Sequence, residues 1–235
     1  MDWAYNLSPV ATPLVRKYQV GASFVAAGTL AKVGAANGYG VIPTTTTACA
    51  NALGLALEAV TVQTGQQTDG SDPTRQVSII INPDAVIKAR CSGSSTAGTA
   101  ITDYAETAGD TAGLTVTAAG LVSADEGTVV CSYGANAGAM RENITGGSGS
   151  AVAGVAFKSD IAIGDKFFTL PFSVLKAQTV KLVATALTEV DQSAAVATNE
   201  VAYQPIEIKL GQPPSEILTD TYVMLVATDH LYASS

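Results

Sequence analysis

Hydrophobic residues in this chain occur in short runs, many of them β-branched, and the runs are separated by glycine, proline, asparagine or aspartate. Residues 77–81 form one such run, which stops at Asn82-Pro83-Asp84 and resumes as alternating apolar and polar positions up to Cys91. Proline fixes φ and lacks a backbone donor, so strand pairing is interrupted there while both flanks can still pair. The pattern predicts two strands joined by a rigid structural corner.

The same pattern predicts further short strands along the whole chain. A tight turn is expected at Gly164-Asp165, with Gly164 at positive φ. Residues 53–59 fit a short helix by propensity, but Gly54 and the β-branched residues that follow favour a strand. The other predicted strands cover residues 18–20, 23–25, 30–33, 41–42, 114–117, 127–133, 140–144, 166–170, the start of 180–199, 200–210 and much of 219–232.

Many short strands and no long amphipathic helix predict an all-β fold, either a barrel or a sandwich of antiparallel strands. The clearest break in the first half is the polar loop at residues 64–75. We therefore expect an extended N-terminal arm at 1–14, a small β subdomain at 15–72 and a main β domain at 73–235. The last two can also form one compact unit.

The first fourteen residues carry large apolar side chains on a segment that prolines keep extended. One interpretation is a strand laid on its own domain, and the other is an arm that anchors to another subunit, where aromatic side chains fill desolvated pockets. The residues predicted to contact another protein subunit are Trp3, Tyr5, Leu7, Val10, Leu14 and Arg16.

The amino-acid composition limits the kinds of binding partner that are expected for this protein. Hydrophobic residues make up 47% of the chain and charged residues 14%, which is typical of proteins that pack against neighbours. The formal net charge is −8, whereas binding to nucleic acid needs a positive field that neutralises phosphates. We therefore expect no direct nucleic-acid partner.

The cysteines and the N-terminus predict a reduced, soluble protein that is made in the cytoplasm. Cys49, Cys91 and Cys131 are far apart and odd in number, so we interpret them as small buried hydrophobes in strands. No signal peptide and no apolar run long enough for a membrane helix is recognisable, and no membrane partner is expected.

The sequence offers little catalytic chemistry. His230 is the one histidine, and its apolar strand context favours a hydrogen-bonded or interfacial role. Acidic turns such as Asp69 to Asp72 lack the carboxylate spacing of a calcium loop. We predict no enzyme, no cofactor and no metal. A glycan hydrolase stays open as an alternative, although nothing in the sequence positions two carboxylates at the required distance.

An ordered series of motifs resembles the small head proteins of tailed double-stranded-DNA bacteriophages, known as capsid decoration, cement or stabilisation proteins. The resemblance covers roughly residues 77–232, fits residues 20–34 and 53–60 more loosely, and does not include the N-terminal arm or the 94–110 loop. The motifs are Asn82-Pro83-Asp84-Ala85-Val86 with Ser92-Gly93, residues 111–113, residues 138–144 with Arg141, residues 161–173 around Gly164-Asp165, residues 181–196, and Asp229-His230-Leu231-Tyr232.

The resemblance implies a structural virion protein on the capsid exterior. It would bind the major capsid protein as a homo-oligomer, with a homotrimer expected, and clamp neighbouring capsomers. Multivalent attachment to a lattice would raise a modest affinity by orders of magnitude. The alternative is another phage structural β protein, such as a tail, fibre or receptor-binding module. Deletion of residues 1–14 is expected to leave a folded protein that no longer decorates the capsid.

Overall fold

The structure is a computed structural model, and it confirms the all-β class. It describes residues 1–9, 12–34, 40–44, 52–62, 75–105, 115–117, 127–147, 150–153, 155, 157–176, 178–183, 188–192, 203–212 and 214–232. The strands, in chain order, are β1 Asp2–Asn6, β2 Val15–Gln19, β3 Leu30–Val33, β4 Val41–Pro43, β5 Ala52–Ala56, β6 Gln76–Ile80, β7 Ala85–Ser92, β8 Tyr104–Ala105, β9 Thr115–Thr117, β10 Gly127–Tyr133, β11 Met140–Gly147, β12 Ser150–Ala153, β13 Lys166–Leu170, β14 Glu189–Asp191, β15 Tyr203–Lys209 and β16 Tyr222–Ala227. A 3-10 turn at Pro214–Glu216 lies between β15 and β16.

The strands form three sheets. Sheet I has the order β1-β7-β16-β15, and β14 pairs in parallel with the second half of β7. Sheet II has the order β2-β6-β5-β3-β4, and sheet III has the order β8-β13-β10-β11-β12-β9. Except for β14 with β7, the pairs of these strands are antiparallel.

Two hydrophobic cores hold the sheets in a sandwich-like arrangement. The small core lies on one face of sheet II and contains Val20, Phe24, Ala31, Val41, Leu53, Ala56, Val77, Ile79 and Ile81. The large core contains residues of all three sheets, including Leu30, Leu55 and Ile80 from sheet II, Ile87 and Leu225 from sheet I, and Val130 and Phe168 from sheet III. Sheet II is therefore buried on both faces at β5, where every residue is buried.

The Asn82-Pro83-Asp84 corner is where the chain leaves sheet II and enters sheet I. The strand before it, β6, pairs with β2 and β5, and the strand after it, β7, is central in sheet I. The expected boundary between residues 72 and 73 therefore does not coincide with the change of sheet, which falls at the corner ten residues later. The corner connects the two sheets because the proline interrupts pairing there.

Most predicted strands are present at or within a few residues of the expected positions, and Leu53 to Ala56 belongs to a strand, not a helix. Residues 23–25 and 180–182 differ: Phe24 and Leu182 make isolated bridges, to Val60 and Val190. Residues 23–25 lie between Gly21 and Gly28, and their pairing is limited to the bridge from Phe24 to Val60. The polar loop at 64–75 lies outside the described residues except for Arg75.

The C-terminal segment after β16 attaches sheet I to sheet II. The Ala52 amide donates to the Asp229 carbonyl at 3.1 Å, and the Tyr232 amide donates to His230 Nδ1 at 3.1 Å. The Tyr232 hydroxyl lies 3.1 Å from that of Tyr18 on β2. His230 is thus a buried, hydrogen-bonded residue, as its context predicted.

His230 should make stability depend on pH. Burial lowers its pKa below the ordinary 6.5, although the Leu53 backbone and Asp229 act in the opposite direction. Protonation of His230 therefore favours the unfolded chain. The stability that neutral His230 contributes is complete above pH 6.5, and it is lost as the pH falls through the pKa that His230 has in the folded protein. We expect a lower urea midpoint at about pH 5 than at about pH 7.5.

The variant His230→Asn tests this assignment, because asparagine offers an acceptor oxygen near the Nδ1 position and does not titrate. Its urea midpoint should change less between the two pH values than that of the wild type. An unchanged pH dependence in the variant would assign the effect to the carboxylates.

Candidate functional site

The N-terminal strand lies on its own domain. β1 pairs antiparallel with β7, from Asp2 opposite Lys88 to Asn6 opposite Ala85. Trp3 is partly buried against the large core, and its indole Nε1 donates to Asn6 Oδ1 at 3.1 Å. Of the two interpretations of residues 1–14, the structure supports the strand on its own domain for Asp2–Asn6. Deletion of this segment would therefore remove a strand of sheet I.

The segment that returns from β1 is held by the polar side chains of the corner. The Ser8 amide donates to Asp84 Oδ2 at 2.8 Å, and the Leu7 amide donates to the Asp84 carbonyl at 2.9 Å. The Leu14 amide donates to Asn82 Oδ1. The hydrogen bonds from Ser8 lower the pKa of Asp84, so its carboxylate stays charged at neutral pH. Asn82 and Asp84 therefore fix the segment as well as turning the chain.

Around this corner, four apolar side chains are exposed to solvent, and the sequence analysis predicted three of them, Tyr5, Leu7 and Leu14, as contact residues. Tyr5 is 40% exposed, Leu7 58%, Leu14 49% and Val15 43%. We call Tyr5, Leu7, Leu14 and Val15 the N-terminal patch. Complete burial of a fully exposed side chain of this kind is worth roughly 1.5–3 kcal/mol, so each of these half-exposed side chains can contribute about half of that against a partner. Because the corner holds the backbone, a partner would meet these side chains already ordered, which lowers the entropic cost of binding.

The remaining predicted residues lie in different places. Arg16 is exposed on β2 opposite Ile79, next to Val15 of the patch, while Val10 lies outside the described residues. The turn at Gly164 and Asp165 belongs to sheet III, apart from the N-terminal patch. Gly164 has φ +96°, as predicted, and Asp165 Oδ2 accepts a hydrogen bond from the Ala162 amide at 3.0 Å.

The cysteines carry no reactive chemistry in the described residues. Cys91 on β7 and Cys131 on β10 are buried free thiols, which confirms their prediction as small hydrophobes in strands. Burial raises the pKa of Cys91 to about 12 and that of Cys131 to about 11, so both stay protonated at neutral pH. Cys49 lies outside the described residues.

No group of three or more histidine, cysteine, aspartate or glutamate side chains in the described ranges of the chain is arranged to hold a metal ion. In the same ranges, no helix has the length and apolar character needed to cross a membrane.

An open cleft of about 650 Å³ at one end of sheet III was not predicted from the sequence. Its described lining consists of Asp103, Ser132, Tyr133, Gly134, Ala137, Lys166, Ser215 and Leu218. These residues come from four separate segments, so no local motif could have indicated the cleft. The one local signal was Tyr133, a large aromatic residue that ends a strand directly before a glycine.

Comparisons with known proteins do not place the chain in a family. No family model matches the sequence, and the searches of curated proteins and of solved structures gave no significant match.

Proposed function

We propose that the protein is a structural virion protein of a tailed bacteriophage, which binds the exterior of the capsid and stabilises contacts between capsomers. The motif resemblance over residues 77–232 supports this assignment. The observation that carries the attachment step is the N-terminal patch, whose apolar side chains are exposed on backbone that the corner fixes. The major capsid protein is the proposed partner.

Binding of the protein to the shell would favour capsid assembly through thermodynamic linkage. A protein that binds the assembled shell more tightly than free capsid subunits shifts the equilibrium toward the assembled state. A homo-oligomer multiplies this effect because each copy contributes a contact to the same lattice. We propose a trimer, and light scattering during size exclusion would then give three times the 23.8 kDa mass of the chain.

Substitution of patch residues tests the attachment site better than deletion does. In the double variant Leu7→Ser, Leu14→Ser, both changed side chains are about half exposed, so the fold should be kept. We expect its affinity for the shell to fall at least roughly tenfold, since truncation of an interface anchor commonly costs more than 1 kcal/mol. The measurement is cosedimentation with heads of the encoding phage that lack the protein.

Ile163 and Leu175 supply the matched control, because they are exposed apolar residues outside the patch. The double variant Ile163→Ser, Leu175→Ser should bind heads like the wild type. Full occupancy by the Leu7, Leu14 variant would refute the patch as the attachment site. Binding of the wild type to purified tails and not to heads would favour the alternative, a tail or fibre protein.

A further inference from the structure

The cleft at the end of sheet III is formed by four separate segments of the chain. Ser132 and Tyr133 end β10, Lys166 begins β13 and Asp103 directly precedes β8. The lining also includes Ser215 of the 3-10 turn and Leu218, which follows that turn. Strands and short turns position side chains more precisely than long loops do, and such positioning favours recognition of a small molecule.

The polar side chains of the cleft interact with one another through a hydrogen bond and an ion pair. The Ser132 hydroxyl donates to Asp103 Oδ2 at 3.3 Å, and Lys166 Nζ lies 3.9 Å from the same oxygen. Both interactions use Oδ2, so Oδ1 can accept a hydrogen bond from a ligand. The ammonium group of Lys166 has three donors and can likewise share one. The cleft therefore presents a positioned acceptor next to a positioned donor.

An aromatic ring stands beside this polar pair. Tyr133 is 65% exposed and is paired with Lys166 across the strands. The next residue, Gly134, has φ +116° and no side chain. Ala137, which also lines the cleft, has only a methyl group. The surface of the cleft near the ring is therefore formed by residues with small side chains or none. A flat ligand face could lie against the ring while its edge reaches the Asp103 and Lys166 groups.

The charges and shape of the cleft select one class of ligand. The carboxylate of Asp103 and the ammonium group of Lys166 offset each other, so neither an anion nor a cation is favoured by net charge. An apolar ligand would leave these polar groups without partners. A sugar ring has hydroxyl groups that both donate and accept, and an apolar face of C–H groups that suits an aromatic ring. We infer that the cleft is a binding site for a neutral saccharide.

The described lining of the cleft does not contain the carboxyl pair of a glycoside hydrolase. Glycoside hydrolysis commonly uses two carboxyl groups that flank the scissile bond, about 5–10 Å apart. Asp103 is the one carboxylate among the described lining residues, and it is paired with Lys166.

The test uses the full chain and three probes: maltotriose and diacetylchitobiose, which are neutral, and trigalacturonate, which is acidic. Saturation-transfer NMR detects binding, and titration gives the dissociation constant. We expect at least one neutral probe to bind with a Kd of about 1 mM or tighter. Tyr133→Ala and Asp103→Asn should each weaken that binding at least roughly tenfold.

Tyr5→Ala is the matched control, because Tyr5 is an exposed tyrosine outside the cleft and its loss should leave saccharide binding unchanged. Circular dichroism of each variant checks the fold, which Tyr133→Ala should retain because the ring is mostly exposed. The inference is overturned if neither neutral probe binds, if trigalacturonate alone binds, or if binding survives in folded Tyr133→Ala. Loss of shell attachment in the patch variants would not affect this result.

Discussion

Replacement of Gly54 by alanine is expected to prevent the protein from folding. Gly54 is the middle residue of β5, has φ +144° and is buried. A Cβ atom at this position would lie 1.7 Å from the Ile80 carbonyl oxygen on the neighbouring strand β6. Backbone cannot move away as a flexible side chain can, and β5 is packed between the two cores.

The expected cost is more than about 4 kcal/mol, because a steric clash is added to a strained backbone conformation. Typical domains have about 5–15 kcal/mol of stability in total. Soluble yield and thermal unfolding followed by circular dichroism are the measurements. The variant should be insoluble, or its melting temperature should fall by well over about 10 °C.

Gly164→Ala separates the clash from the backbone strain. Gly164 also has positive φ, but a Cβ atom there would meet no heavy atom within 4 Å. Its substitution should cost about 1–2 kcal/mol, which is the penalty for a left-handed conformation alone. If the two variants melted at similar temperatures, the packing of β5 against β6 described above would be incorrect.

The strands were predictable because their signals are local. Residues 30–33, 127–133 and 166–170 are strands at the bounds that the sequence predicted, since each run is short, apolar or β-branched, and closed by a turn residue. The positive φ of Gly164 was predictable for the same reason. Local preferences and the final fold agree at these positions.

The pairing of distant segments was not predictable. Nothing within residues 1–14 shows that β1 pairs with β7, because an extended apolar segment pairs equally well with its own sheet or with another chain. Ser8 and Asp84 are 76 positions apart, so their hydrogen bond cannot be inferred from spacing. The cleft was missed for the same reason: Asp103, Ser132 and Lys166 come together only when sheet III forms.

Sheet II contributes one face to each of the two cores, and this arrangement determines whether parts of the chain can unfold separately. One face of the sheet forms the small core, while Leu30, Leu55 and Ile80 on the other face belong to the large core. If sheet II separated from the rest, these three side chains would become exposed, at a cost of roughly 1.5–3 kcal/mol each. We therefore expect residues of all three sheets to unfold in one cooperative transition.

Phe24→Ala tests this cooperativity because Phe24 is in the small core and is 1% exposed. Removal of a buried phenyl group should cost about 3–5 kcal/mol. The adjacent variant Val25→Ala is the control, since Val25 is 72% exposed and its truncation should change stability by less than about 0.5 kcal/mol.

The single tryptophan reports on the large core, because Trp3 packs against that core whereas Phe24 lies in the small core. Urea unfolding is followed by Trp3 fluorescence and by far-UV circular dichroism. In Phe24→Ala both signals should shift together to lower urea, because a cavity in the small core destabilises the whole cooperative unit. A circular-dichroism transition that moves while the Trp3 transition stays in place would show instead that residues 15–81 unfold as a separate domain.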